Sequence, residues 1–251
     1  MSEYLRRFRL VAVAGVTAAG LGLAQARAGA PVSVSVSADL VSKYVWRGIL
    51  VTDDPVFQPS VTASWKGLSL NVWGSVDLTD VNENPGDNYR LQEVDYTGSY
   101  SFSPVKGLDL TGGAILYTFA GFPDTSEVFA TAALSCVPLT PTLSVYYDFG
   151  RIDGFYANLG ISHTFTLTEK LSLGLSASLG CADSDYNAFY FGVDENAFND
   201  GVLGANLDYK VNENFALSLY AKYSKLLDSD IEDSVDDSDL AIVGVRGTLS
   251  F

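Results

Sequence analysis

The chain has 251 residues, of which 30 are Asp or Glu and 15 are Lys or Arg, so its formal net charge is −15 at pH 7. Such an acidic surface does not attract phosphates, which excludes nucleic acid as a partner. Apolar residues make up 47% of the chain, and its 23 glycines, 14 tyrosines and 14 phenylalanines favour strands and turns over helices.

The first residues have the composition of a secretory signal peptide. Three arginines, Arg6, Arg7 and Arg9, precede an apolar stretch from Leu10 to Ala24. That stretch is shorter than the roughly 20 residues that a transmembrane helix requires. Small residues alternate after it and allow cleavage after Ala26, Ala28 or Ala30. The sequence therefore predicts a signal peptide at 1–28 and a single mature domain at 29–251.

The mature chain shows a period of two, which is typical of strands with one apolar and one polar face. In 171–179, for example, Leu, Leu, Leu, Ala and Leu alternate with Ser, Gly, Ser and Ser. Twelve such segments follow one another, most near the 9–11 residues of a tilted membrane strand. They are 32–49, 56–65, 68–78, 92–103, 108–119, 127–136, 142–150, 155–167, 171–181, 202–211, 215–226 and 240–251.

The gaps between these segments alternate in length. Five are tight turns: 66–67, 104–107, 137–141, 168–170 and 212–214. The other six are mostly longer and acidic: 50–55, 79–91, 120–126, 151–154, 182–201 and 227–239. Short periplasmic turns and longer extracellular loops are typical of outer-membrane barrels. A closed antiparallel barrel of about twelve strands follows, because an open strand edge leaves backbone groups unpaired in lipid.

Aromatic residues and the last strand support this location. Trp65, Phe102, Phe165, Tyr209, Phe215 and Phe251 fall on outward rows near the short-turn rim, as in an aromatic girdle. Tyr44 and Trp46 are predicted to lie outward near the opposite rim. The final strand resembles the C-terminal assembly signal of outer-membrane barrels, with Leu249 and Phe251 on its apolar row. The barrel assembly machinery is thus an expected partner.

Residues 42–61 carry a family resemblance. They read Ser-Lys-Tyr-Val-Trp-Arg-Gly-Ile-Leu-Val-Thr-Asp-Asp-Pro-Val-Phe-Gln-Pro-Ser-Val. This segment resembles the opening of the TorF-type family of proteobacterial outer-membrane porins, and the matching positions are Tyr44, Arg47, Gly48, Thr52 and Gln58. The resemblance implies a barrel with a transport role. Where the family pattern has an Asn in the third strand, this chain has Val76.

Physical reasons for two of these residues can be given. Arg47 falls on the inward row near the outer rim, where its guanidinium can hold the first loop through Asp53 or Asp54. Gly48 allows the chain to bend into that loop. A structural role for Arg47 is favoured over direct binding of a ligand.

The predicted inward rows carry charge of both signs. Basic residues lie on neighbouring walls, because the last strand closes on the first: Lys43, Arg47, Lys210, Lys222 and Arg246. Acidic residues occupy the facing arc: Asp77, Glu93, Asp95, Asp109 and Asp148. One interpretation is a transverse field that orients polar solutes and sets ion selectivity. The other is that Asp39, Asp208 and their basic neighbours pair to satisfy buried charge.

The function predicted from these features is passive diffusion of small polar solutes or ions through a narrow channel, or a channel occluded at rest. The alternative is a non-conducting barrel with a structural or surface-binding role through its acidic outer loops. Catalysis is not expected, since the single histidine, His163, faces outward while Ser162 points to the opposite face. No cofactor or specific metal site is predicted. Lipid and lipopolysaccharide are expected partners, and homo-oligomerisation stays open.

Overall fold

The computed structural model describes residues 32–80 and 89–251; the predicted signal peptide lies outside them. The strands are β1 (Ser33–Val41), β2 (Tyr44–Trp46), β3 (Ile49–Thr52), β4 (Val56–Trp65), β5 (Leu68–Asp77), β6 (Leu91–Val105), β7 (Leu108–Phe119), β8 (Phe122–Leu134), β9 (Thr142–Asp148), β10 (Phe155–Thr166), β11 (Leu171–Ala182), β12 (Ala197–Lys210), β13 (Phe215–Leu226) and β14 (Asp239–Ser250). Two short helices are α1 (Ser184–Tyr190) and α2 (Ser229–Asp233).

Twelve of these strands form a closed antiparallel barrel. β4 to β14 follow one another around the ring, and β1 closes it by pairing with both β14 and β4. At the seam the Phe251 amide donates to the Val34 carbonyl over 2.8 Å. Closure leaves no free strand edge, as a membrane barrel requires. The predicted fold is therefore confirmed.

The alternation of side chains produces an apolar outer face and a polar lumen. Leu70, Leu203 and Leu219 are 68%, 61% and 58% exposed on the outer face. Such a continuous belt of exposed apolar residues is unusual on a soluble protein and is expected on a surface that contacts lipid. The chain is thus a multi-pass barrel of the Gram-negative outer membrane.

The two rims differ in their connections. Turns at 66–67 and 106–107, the start of β1 and the C-terminal Phe251 lie at one rim, which corresponds to the periplasmic side in barrels of this kind. The loops that contain α1 and α2 lie at the other, extracellular rim. No helix within the described ranges is long and apolar enough to span a membrane.

Three predicted segments were wrong; one is the loop expected at 182–201, because β12 already begins at Ala197. The first strand was expected to run over 32–49, but β1 ends at Val41 and the chain then forms the separate β2–β3 hairpin. The long loop expected at 120–126 is a tight turn, because Phe119 already pairs with Phe122 and β8 begins there. In 32–49 apolar alternation continues across the true boundary, whereas in 120–126 Gly121, Pro123 and Asp124 are typical of a loop although β8 has already begun at Phe122.

Candidate functional site

The extracellular half of the lumen is filled by two segments that fold inward. We call them the plug: the hairpin segment 42–55, which contains β2 and β3, and helix α1. Trp46 at the end of β2 is 1% exposed and contacts both helix tyrosines, Tyr190 at 5.4 Å and Tyr186 at 6.2 Å between ring centroids. Tyr44 and Trp46 were expected to face lipid, and this was wrong: their apolar rings pack inside the barrel.

The hairpin crosses the whole lumen. It leaves the wall between β1 and β4, yet its tip contacts β8, β9 and β10, which lie opposite in the ring. On the near wall Thr52 donates a hydrogen bond to Asp77 over 3.1 Å, and Tyr44 packs against Trp73 at 5.5 Å. The hairpin therefore connects two facing walls of the barrel through side-chain contacts.

The tip of the hairpin is the pair Arg47-Gly48, both with positive φ, at 46° and 79°. This is the backbone of a tight two-residue turn between right-twisted strands. A larger residue would also clash at position 48, since an added Cβ would lie 2.6 Å from a methyl carbon of Leu226. The predicted bend at Gly48 thus has two physical causes.

Arg47 makes the most extensive contacts of the hairpin. Its two terminal nitrogens each donate to one oxygen of Glu127 over 2.8 Å, the bidentate geometry that suits a guanidinium and a carboxylate. The expected partners were Asp53 or Asp54, and this was wrong. The positive φ of Arg47 projects its side chain across the lumen to β8, while Asp53 pairs with Lys43 over 2.6 Å.

Aromatic rings surround the same guanidinium. Its central carbon lies 4.3 Å from the ring centroids of Trp46 and Tyr146, 4.4 Å from that of Tyr156 and 5.9 Å from that of Tyr186. Burial lowers the pKa of the Arg47 guanidinium, but Glu127, Tyr186 and Tyr117 together outweigh burial and raise that pKa well above its usual value. The buried side chain is therefore a permanent cation.

The remaining basic residues of the prediction occupy separate places. Lys43 lies in the plug segment rather than on the barrel wall. Arg246 on β14 donates from Nε to both oxygens of Asp39 at 2.9 Å, which matches the pairing interpretation. Lys222 lies 5.6 Å from the Tyr220 ring, and Lys210 is at the periplasmic mouth.

The predicted acidic residues divide into two groups. Glu93 and Asp95 are each 2% exposed on the inward row of β6, and Asp109 at the periplasmic end of β7 accepts from Ser103. Asp148 lies on the predicted inward row, two residues after Tyr146 and opposite Glu127. It accepts from Thr125 and from the backbone amides of 150–152, which fixes the loop after β9.

Two inward acids were missed. Glu127 begins the predicted segment 127–136 but is absent from the predicted set of lumen charges; it lies on β8, where Arg47 and Tyr117 donate to it. Asp200 was assigned to a loop, whereas β12 begins at Ala197 and Asp200 accepts from Tyr156 over 2.8 Å. Gln58, by contrast, is on the wall, where it donates to Ser75 over 3.4 Å.

Below the plug the lumen is lined by hydroxyl and amide groups. Asn71 donates to Ser60 over 2.7 Å and to Thr62 over 2.8 Å, and inward Ser162 and Thr164 are exposed to solvent. A cavity of about 430 Å³ opens at the periplasmic mouth, lined in part by Asp208, Lys210 and Thr248. Within residues 32–80 and 89–251, no three His, Cys, Asp or Glu side chains converge to hold a metal ion.

Comparison with known protein families identifies the family of this chain. The family model described as MltA-interacting protein MipA matches residues 20–251. The chain belongs to the MipA family. No curated protein matches it. The resemblance to the TorF-type family is not confirmed and stays a prediction.

Solved structures of similar fold are outer-membrane porins and channels. The KdgM porin in complex with disordered oligogalacturonate has a TM-score of 0.54 at 11% identity, covering 87% of this chain and 99% of that one. The NanC porin has a TM-score of 0.53 at 12% identity, covering 86% and 98%. An outer membrane channel from Pseudomonas putida F1 has a TM-score of 0.50 at 9% identity, covering 91% and 98%. At identities of 9–12% these likenesses show the barrel fold alone.

Proposed function

We propose that this MipA-family barrel is an outer-membrane channel for small polar solutes or ions, and that the plug closes it. The proposal rests on the difference between the periplasmic and extracellular halves of the lumen. Its periplasmic half is lined by hydrogen-bonding side chains in contact with solvent, whereas its extracellular half is filled by two loop segments rather than by the barrel wall.

The attachment of the hairpin to the barrel allows it to be displaced from the lumen. β2 and β3 pair with each other as a separate two-stranded sheet and not with the barrel strands. Val41 and Val56, on either side of the hairpin segment, are themselves paired in the barrel. Displacing the hairpin therefore leaves the ladder of the barrel intact, and local opening of this kind requires less free energy than global unfolding.

Conductance of a plug-deleted barrel tests the proposal. Because Val41 and Val56 pair with each other, replacing 42–55 by Asn-Gly joins β1 to β4 through a favoured hairpin turn. We expect frequent single-channel openings from the deletion variant in planar bilayers and rare ones from the wild type. A second deletion, of the exposed residues 236–237 in the loop around α2, controls for loop shortening as such. A folded plug-deleted barrel that never conducts would refute the channel.

The charged lumen residues belong to the same proposal. Lys210, Lys222, Arg246, Glu93, Asp95 and Asp109 are proposed to set ion preference once the plug is displaced. Arg246 is already neutralised by Asp39, so the change should be largest at Lys222. In the plug-deleted background, Lys222→Glu is expected to shift the reversal potential towards cation selectivity. An unchanged reversal potential would show that Lys222 does not determine the ion selectivity.

The second candidate is a non-conducting barrel that anchors a partner or stabilises the membrane. The buried aromatic plug favours it, as does the family description, in which the namesake interacts with another protein. The acidic loop 227–239 would provide the surface, directly or through cations shared with lipopolysaccharide. Liposome swelling separates the two candidates: permeation of no small solute through the plug-deleted barrel would support this one.

A further inference from the structure

The side chains around Arg47 come almost entirely from outside its own hairpin. Tyr146 lies on β9, Tyr156 on β10, Tyr186 on α1 and Glu127 on β8. We call these four residues the cation cage. Two further hydrogen bonds hold it in shape independently of Arg47: Tyr117 donates to the second oxygen of Glu127, and the Tyr156 hydroxyl donates to Asp200, each over 2.8 Å.

The cage therefore has the chemistry of a binding site for an organic cation. Aromatic faces attract cations, most strongly where water is excluded. Glu127 is 1% exposed, Tyr186 1% and Tyr156 3%, so little solvent screens the interaction. A planar guanidinium matches both the faces of the tyrosine rings and the bidentate carboxylate better than a spherical ammonium does.

We propose that the cation cage binds guanidinium groups of small organic cations, and that Arg47 occupies it as a tethered competitor. A solute that enters the cage replaces the Arg47 side chain and releases the tip of the hairpin. The gating consequence rests on the proposed channel function, whereas the binding itself does not.

Tethering sets the affinity expected for a free ligand. Arg47 is held near the cage by a segment of 14 residues between paired Val41 and Val56, and short flexible tethers give effective concentrations of roughly millimolar. A free cation competes with that concentration in the wild type. Removing the competitor should therefore strengthen the apparent affinity by at least about tenfold.

Calorimetric titration of the full-length barrel in detergent micelles tests the proposal. The probe is methylguanidinium, and methylurea is its neutral counterpart of similar shape. Arg47→Asn empties the cage and leaves Asn-Gly at the tip, a favoured pair for this turn. Lys106→Ala is the matched control, since it also removes one positive charge from a turn but lies at the periplasmic rim. Arg47→Asn/Glu127→Gln removes the carboxylate of the emptied cage.

We expect Arg47→Asn to bind methylguanidinium at least about tenfold more tightly than the wild type and Lys106→Ala, with no uptake of methylurea. The double variant should lose at least about tenfold of that affinity. If the double variant does not fold, Arg47→Asn/Tyr146→Leu tests the ring contribution with the same expected loss. Equal affinity of Arg47→Asn and wild type, or equal binding of the two probes, would overturn the proposal. Because the titration involves no current, a failure of the channel leaves this result unaffected.

Discussion

Glu127→Gln should loosen the hairpin while leaving the barrel wall in place. The Arg47 and Glu127 side chains are only 5% and 1% exposed, so this is a buried ion pair. Removing one charge of a buried pair typically costs about 3–5 kcal/mol, because the other charge stays buried without compensation. The glutamine oxygen still accepts one hydrogen bond, which places the cost near the lower limit.

That cost appears as opening of the plug and not as unfolding of the barrel. The barrel ladder involves neither β2 nor β3, so the uncompensated guanidinium reaches solvent when the hairpin alone is displaced. A loss of about 3 kcal/mol corresponds to a change of roughly a hundredfold in the opening equilibrium, since about 1.4 kcal/mol is a factor of ten.

Hydrogen exchange measured by mass spectrometry resolves this change by segment. Amides of the hairpin segment 42–55 should exchange about a hundredfold faster in Glu127→Gln, while those of β11 to β13 keep their wild-type rates. Lys43→Ala is the matched control, because the Lys43–Asp53 pair is exposed, with side-chain exposures of 24% and 51%, and such pairs contribute about 1 kcal/mol or less. Unchanged exchange in 42–55, or equal acceleration over the whole barrel, would refute the argument.

Three further predictions follow from single positions. Gly48→Ala should accelerate hydrogen exchange in 42–55 by at least about fivefold, because it adds a Cβ at φ 79° against Leu226. An unaltered exchange rate would mean that the turn accommodates the added methyl group. Asp39→Ala should lower the free energy of unfolding by about 1–3 kcal/mol, since Arg246 and Tyr220 both donate to that carboxylate at the closing seam, and thermal unfolding in micelles measures it. Phe251→Ala should reduce the amount of folded barrel in outer-membrane fractions if the terminal aromatic serves as the assembly signal; wild-type levels would contradict that role.

The barrel wall could be predicted because its signal repeats along the chain. In 171–179 every second residue faces lipid, and the tight turns at 66–67 and 212–214 set the parity of the strands on either side. The same signal failed at Tyr44 and Trp46. An apolar row fits lipid or the interior of a plug equally well, and the period of two is identical in both environments.

The cation cage could be predicted only in part. Glu127 lies within the predicted strand 127–136, and Arg47-Gly48 is a pair that allows a hairpin turn. Their contact, however, joins residues 80 positions apart across the lumen. It depends on how far the hairpin reaches inside a ring whose diameter and stagger arise from all twelve strands, and no local pattern contains that information.

The plug can be locked and released in one channel, which tests the central claim most directly. Thr52 on the hairpin and Asp77 on the wall are in side-chain contact at 3.1 Å, so cysteines at both positions can bridge once the native Cys136 and Cys181 are replaced by serine. Single-channel current is recorded from this protein with Glu127→Gln added, before and after a reductant. We predict a silent channel when the bridge is formed and openings when it is reduced. Equal conductance in both states would contradict the claim that the hairpin closes the barrel.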